Sequence, residues 1–166
     1  WIQLVSSTRR PRVAIVSGCG GDSRRYRGEH LIESLQILGG DGILLDAQQA
    51  LPADASTMLS NLEGVIFHRA AWSPLVENII HEAKRLNKFL LFDTDDLVFD
   101  VQEDPSQDEG VGRFGKGQAI ALQFKTMQAC QKVITSTDFL KSRVESLGLP
   151  ATTLRNGYSA QMLAYA

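Results

Sequence analysis

Three carboxylates crowd into four residues at Asp93-Thr94-Asp95-Asp96, directly after the apolar run Phe89–Phe92. An Asp-x-Asp pair can chelate Mg²⁺ or Mn²⁺ on a nucleotide diphosphate. Clustered carboxylates also perturb one another's protonation and can act as acid or base. They can equally accept hydrogen bonds from sugar hydroxyls, or cap the following turn through their side chains. His68-Arg69 closes another apolar run, Gly64–Phe67. That histidine can hydrogen-bond a ligand hydroxyl or phosphate, although a lone histidine after an apolar strand is as often a packed structural residue. A third stretch, Gly18-Cys19-Gly20-Gly21-Asp22-Ser23, follows Arg12–Ser17. Backbone N–H groups of a glycine loop at a helix start can face an anion or a sugar, and Arg24, Arg25 and Arg27 add charge beside it. The plainer reading is a tight turn. A dinucleotide fingerprint needs a third glycine where Ser23 stands, so only Gly18, Gly20 and the acid Asp46 match it.

Other chemistries lack their residues. No G-x-S-x-G elbow and no Walker loop occurs; Gly112–Gly117 has the wrong spacing and order. Cys19 and Cys130 lie far apart without a C-x-x-C partner, and both read as reduced, small buried hydrophobes. His30 and His81 fall on predicted helices and read as surface or packing residues. The 166 residues fit one domain, expected to span 1–166 with an irregular extension over 1–11. Lys and Arg number 17 against 19 Asp and Glu, so no global basic excess argues for nucleic acid. Charge is uneven: six of the eleven arginines fall between Arg9 and Arg27, and eight acids fall between Asp93 and Glu109. The first cluster can hold an anion; the second reads in part as a long solvated loop over Gln102–Gly117. No apolar run approaches a membrane span. The chain opens on Trp1 and is expected to be part of a larger protein.

The elements that must position these residues alternate. Strands are predicted at Arg12–Ser17, Gly42–Asp46, Gly64–His68, Phe89–Asp93, Lys132–Ser136 and Ala151–Arg155. Between them, Leu31, Ile32, Leu35 and Leu38 repeat at helical spacing up to Gly39-Gly40. Ala53–Leu62 is a weaker helix. Ser73 and Pro74 open a helix with Val76, Ile79, Ile80 and Ala83 inward. Ile120, Phe124 and Met127 mark another. Ser136 or Thr137 caps one with Leu140, Val144 and Leu147 inward, closed by Gly148. A last helix is expected after Asn156-Gly157. Strands apolar on both faces, alternating with helices, call for an α/β fold: a doubly wound parallel sheet of about six strands covered on both faces. Ligands bind beyond the carboxyl ends of such strands. Those ends, Ser17–Gly21, Asp46, His68-Arg69, Asp93–Asp96, Ser136-Thr137 and Arg155-Asn156, are all polar or glycine-rich.

Taken in order, these segments resemble the N-terminal, acceptor-side Rossmann-like domain of GT-B glycosyltransferases, in the family-4-like group of bacterial surface-polysaccharide enzymes. Tyr26-Arg27 after the glycine turn, Val65–Arg69, Phe92–Asp100, and Val133–Thr137 with Leu140 and Leu154–Gly157 carry the likeness. It covers nearly the whole chain from Arg12 onward. Arg155 departs from the usual proline before Asn-Gly. The resemblance implies transfer of a sugar from a nucleotide-activated donor to a hydroxyl acceptor, in polysaccharide or glycoconjugate synthesis. It implies a cleft between two domains, with the donor held mostly by a C-terminal domain whose E-x7-E element is not in these residues.

By the same resemblance, Gly18, Gly20 and Gly21 lie against donor phosphates or acceptor, and Tyr26 and Arg27 line the acceptor side. His68 and Arg69 face the cleft. Asp93, Asp95 and Asp96 bind sugar hydroxyls or fix the loop. Ser136 and Thr137 end a strand at the same edge, and Asn156 leads to the interdomain hinge. Asp95, Asp96 and His68 are the catalytic candidates. No cofactor or resident metal is expected. The expected partners are the nucleotide sugar, a glycan or other hydroxyl acceptor, and the protein's own C-terminal domain. The setting is cytoplasmic, with peripheral contact to the inner membrane allowed. The alternatives are a non-catalytic ligand-binding or assembly module, and a dinucleotide-binding domain.

Overall fold

A strand apolar on both faces must lie inside a sheet, and all five residues of Gly64–His68 are buried. The structure, a computed structural model, describes residues 10–49, 55–99 and 116–157. Its strands are β1 (Arg12–Ser17), β2 (Asp41–Asp46), β3 (Gly64–His68), β4 (Phe89–Thr94), β5 (Lys132–Thr135) and β6 (Ala151–Thr153). They form one sheet in the order β2-β1-β3-β4-β5-β6, parallel throughout. The predicted α/β class and all six strands are present. The chain steps outward from β1 to β2 and then crosses back to β3, so the order of strand addition reverses between β1 and β3. In open α/β sheets that reversal opens a crevice at the carboxyl edge.

Helix α1 starts as an α-turn at Gly21–Arg24, passes through a π-helical segment at Arg25–Glu29, and continues as α-helix over His30–Ile37. The glycine turn is therefore shorter than its sequence implies. The remaining helices are α2 (Ala55–Ser60), α3 (Pro74–Arg85), α4 (Lys116–Gln128) and α5 (Asp138–Ser146). Ser73 caps α3 by accepting the Val76 N–H at 3.2 Å. Thr137, and not Ser136, caps α5, accepting from Leu140 N at 3.2 Å. Two apolar residues miss their predicted faces: Leu38 is 62% exposed and Leu147 46%. Both sit at a helix C-cap, where Gly39 (φ 79°) and Gly148 (φ 78°) turn the chain off the helical path. The acidic segment from Asp100, residues 1–9 of the extension, the first two residues of the helix expected at Ala53–Leu62, and the helix expected after Gly157 lie outside the described residues.

Alternation along the strands sorts the core into two layers. Ala14, Val16, Val65, Phe67, Leu90, Phe92 and Val133 face α2–α5 in one cluster. Val13, Ile15 and Ile66 face Leu31 and Leu35 of α1 in the other, with Leu44, Leu91 and Leu154 packed against them. Among the described residues no helix is long and apolar enough to cross a membrane. The α5 cap supports a helix whose buried face is only Leu140 and Val144. Thr137→Ala is therefore expected to cost about 1 kcal/mol in urea denaturation, and Thr137→Ser much less.

Candidate functional site

Register sets the site. Asp46, Ser17, His68 and Asp93 lie side by side on β2, β1, β3 and β4 at the carboxyl edge. Ser17 continues the stripe Val13–Ile15, His68 follows Ile66, and Asp93 follows Leu91, two residues on in each case. The layer under α1 thus turns from apolar to polar at its upper end. The helix above matches it: Leu35 and Leu31 cover the apolar part, and Arg27 and Ser23, each four residues earlier, cover the polar part.

Arg27 and Asp93 are 3% and 0% exposed at the side chain. The guanidinium grips the carboxylate at two points, Nε donating to Oδ2 at 2.9 Å and Nη2 to Oδ1. A two-point grip of this kind is the geometry in which an arginine holds an ionised carboxylate. Full burial pushes the Asp93 carboxyl up, and the Arg27 pair pulls against that shift. Arg27 Nη1 also donates to Leu154 O at 2.5 Å and Asn156 Oδ1 at 3.1 Å. Arg27 therefore lies mostly beneath the surface, binding α1, β4 and the exit from β6 together, and with Tyr26 it lines the cleft between α1 and that exit.

His68 is fully buried. Its Nδ1 lies 3.0 Å from Ser17 Oγ and its Nε2 3.1 Å from Ser23 Oγ. Both hydroxyl protons are engaged elsewhere: Ser17 donates to Cys19 O at 2.8 Å and Ser23 to Asp95 Oδ2 at 2.7 Å. Donation from both ring nitrogens to these oxygens is the arrangement of an imidazolium, the form that the raised His68 pKa favours. Burial opposes that charge, but Asp95, Cys19 and the nearby Asp93 outweigh it and raise the His68 pKa to about 9. Asp95 is pushed up by burial, yet His68, whose Nε2 lies 3.9 Å from Oδ1, the hydrogen bond from Ser23 and the charge of Arg69 hold it well below the usual carboxylate range. Arg69 Nη1 lies 3.5 Å from Asp95 Oδ1, and Nη2 lies 3.7 Å from Asp96 Oδ2. Asp96 is 65% exposed at the side chain and faces solvent. Among the described residues no three His, Cys, Asp or Glu are grouped to hold a metal ion.

The glycine loop divides by role. A Cβ on Gly18 would meet Arg69 O at 2.3 Å and Ala70 Cα at 2.6 Å, so Gly18 permits the close approach of two strand ends. Arg69 itself takes the left-handed φ of 47°, a strained backbone for a side-chain-bearing residue. Gly20 and Gly21 form an exposed lip with open space around them. Cys19, half-buried between them and the strand, lies 3.9 and 3.8 Å from His68 Nδ1 and Nε2. Reading it as a small buried hydrophobe fails, because its neighbours are charged and polar. Cys130 fits that reading better, packed on the core with Sγ donating to Thr126 O at 3.3 Å.

Ser17, Cys19 and Ser23 are the site residues that sequence reasoning missed. Ser23 in particular reads as a failed third glycine until the spacing Ser23–Arg27–Leu31–Leu35 is noticed. The other expected residues lie further out. Thr137 is engaged as the α5 cap, and Ser136 is buried with its amide on Thr94 O at 3.2 Å. Tyr26 packs edge-on against His30, now a buried residue, and lines a cleft of about 320 Å³ between α1 and the exit from β6. Asp46 pairs with Arg24 at 3.6 Å.

No family model and no curated protein sequence matches the chain. Among solved structures, it is similar to a hydroxyethylthiazole kinase protein from Pyrococcus horikoshii OT3 at 10% identity and a TM-score of 0.48, over 84% of this chain and 47% of that one. It is also similar to the flavodiiron protein from Giardia intestinalis at 12% identity and a TM-score of 0.39, over 74% and 37%. The chain spans less than half the length of either structure.

Two outcomes are expected. Arg27→Met strands a buried carboxylate and should cost about 3–5 kcal/mol, of which adding Asp93→Leu restores a large part; urea denaturation of the single and double variants reads this directly. The second concerns pH, in a Cys19→Ser background that removes the thiol's opposite slope. There stability should fall as pH rises above 6.5, because Asp95 and Asp93 still raise the His68 pKa and the folded protein keeps a proton that the unfolded chain has lost; the fall ends below 9, since Cys19's share of the shift is gone. Each pH unit in that window costs up to about 1.4 kcal/mol. A flat profile would refute the imidazolium.

Proposed function

We propose that the chain is the acceptor-side domain of a GT-B glycosyltransferase. It takes part in moving a sugar from a nucleotide-activated donor to a hydroxyl of a glycan or similar acceptor. One observation carries the reading. The segments on which the resemblance rests, far apart in the chain, are wired to one another at a single point of the sheet edge. Arg27 bonds Asp93 and Asn156, and Asp95 meets His68, Arg69 and Ser23. A shared ligand edge accounts for their common placement more simply than separate structural duties.

In this reading Asp95, ionised and half-open, accepts hydrogen bonds from hydroxyls of the acceptor or the transferred sugar. His68 stays charged and offers positive potential to developing negative charge on the donor's leaving phosphate. A base role does not suit it, because both ring nitrogens are engaged by serine hydroxyls. Arg69 and the Gly20-Gly21 lip complete the anion-favouring wall. A C-terminal domain holds most of the donor, since the transition state needs both walls of the cleft in place. The reading sets the domain in the cytoplasm, allows peripheral contact with the inner membrane and calls for no nucleic acid. A dinucleotide site is less well supported: the acid that would hold the ribose, Asp46, is paired with Arg24.

The test is release of nucleoside diphosphate from a panel of nucleotide sugars by the natural full-length protein. Asp95→Asn should lower kcat/KM about 10- to 100-fold, the loss of a charged hydrogen bond. The 166 residues alone should show little turnover. Robust transfer by them alone would overturn the two-walled site. Normal turnover in both Asp95→Asn and Asp96→Asn would remove the acidic segment from it.

A further inference from the structure

We infer that the cleft between α1 and the exit from β6 is a binding site for a small organic anion with an apolar body. The fold leaves room for such a site. On this face of the sheet α1 is the only helix that contributes to the described core. Leu154, just past β6, packs on that core and also forms a wall of the cleft, with Leu31 and Leu38 supplied by α1. Leu38 stays 62% exposed at the rim. The volume of about 320 Å³ falls at the small end of the range for ligand sites, where apolar walls surround a few convergent polar groups.

Two independent observations point to the occupant. The first is His30, which lines the cleft and is only 7% exposed, with Nδ1 buried and without a hydrogen-bond partner. A buried ring nitrogen in that state costs stability, and nearly all such groups in folded proteins are paired. The edge-on contact with Tyr26 fixes the ring but offers that nitrogen no acceptor or donor. The second is charge. Arg27 and Arg155 line the same cleft, and no Asp or Glu is among its described lining residues. The acids that pair with these arginines, Asp93 and Asp138, stand outside it. A ligand carboxylate or phosphate therefore meets donors and no competing acid, whereas a cation meets two arginines. An imidazole can carry its proton on Nδ1 and donate it to that anion.

The apolar body of the ligand lies on Leu31, Leu38 and Leu154, and its charged end turns toward His30 and Arg27. Gly20, Gly21, Asp95 and Asp96 are not part of this wall. The site is thus separate from the edge proposed for sugar transfer, and the inference does not rest on that reading. Arg27 joins the two, since the guanidinium that borders the cleft also grips Asp93.

The experiment is isothermal titration of the intact protein with octanoate, with its neutral isostere octanamide, and with acetate. Octanoate should bind saturably and at least about tenfold tighter than octanamide, the size of one charge-assisted hydrogen bond. Acetate, which has no apolar body, should show no saturation over the same range. Two leucines give a matched pair of variants. Leu38 and Leu147 each sit at a helix C-cap before a left-handed glycine, and Leu38 lines the cleft while Leu147 does not. Leu38→Glu should weaken octanoate at least about tenfold through like-charge repulsion, and Leu147→Glu less than about twofold. His30→Phe keeps the ring, removes both nitrogens and should weaken octanoate about tenfold. Should that variant fail to fold, the leucine pair still decides. Absence of saturable octanoate binding, equal affinity for octanoate and octanamide, equal effects of the two leucine variants, or unchanged affinity in a folded His30→Phe overturns the inference. None of these titrations uses a nucleotide sugar, so their failure is distinct from failure of the glycosyltransferase reading.

Discussion

A carboxylate with no solvent contact needs a permanent cation, and Asp93 has one in Arg27. The rest of the sheet edge depends on that pair. Burying both charges is expensive, and a well-packed apolar pair often does as well for stability. What the ions contribute is geometry. A two-point grip fixes the guanidinium plane, and the remaining nitrogen reaches Leu154 O and Asn156. Helix α1, strand β4 and the exit from β6 are thereby held at one distance. Without that anchor Ser23 would have no fixed position, and Ser23 holds both His68 and Asp95.

Charge balance follows from the same anchor and changes the meaning of the acidic triplet. Read as a string, Asp93, Asp95 and Asp96 look like a chelating cluster. In place, Arg27 answers the first, His68 and Arg69 the second, and Arg69 the third. The local field is close to balanced. In the proposed glycosyltransferase reading, such an edge would meet a polyhydroxylated ligand with an anionic end. His68 changes meaning as well. A histidine at a strand end invites the role of base, yet each ring nitrogen is engaged by a serine hydroxyl and the charged form is stabilised by Asp95. It acts as a fixed charge.

The strands were legible because a parallel sheet buries both faces, and runs such as Val65–Phe67 and Leu90–Phe92 have no polar position to misplace. Helix ends were less so. Leu38 and Leu147 match the helical period and yet lie outside, since a left-handed glycine after each helix redirects the chain before the period completes. At the site, His68, Arg69, Asp93 and Asp95 were legible from their chemistry and their place after apolar runs. Ser17, Cys19 and Ser23 were not, because small residues near glycines carry no chemical signature of their own. Their roles come from partners some fifty to seventy residues away. Arg27 was legible as a site residue, but its burial was not, since nothing local says that an arginine will face a carboxylate inside the sheet layer.

The π-helical segment explains how one helix serves both halves of this layer. Ser23, Arg27, Leu31 and Leu35 are spaced by fours. In a regular α-helix each such step drifts by about 40°, so three steps would carry Ser23 about 120° away from Leu35. A π-turn inserts one extra residue, which sets the pattern back by about 100°. The insertion falls at Arg25–Glu29, around Arg27 and between Ser23 and Leu31. It cancels most of the drift and keeps all four residues over the sheet. Gly28, inside that segment, fits the tight passage: a Cβ there would meet Leu44 Cδ1 at 3.0 Å. A widened turn is a poor choice for helix stability alone. Here it lets the helix that builds the core also supply the site, and the ion pair of Arg27 with Asp93 holds it in that form.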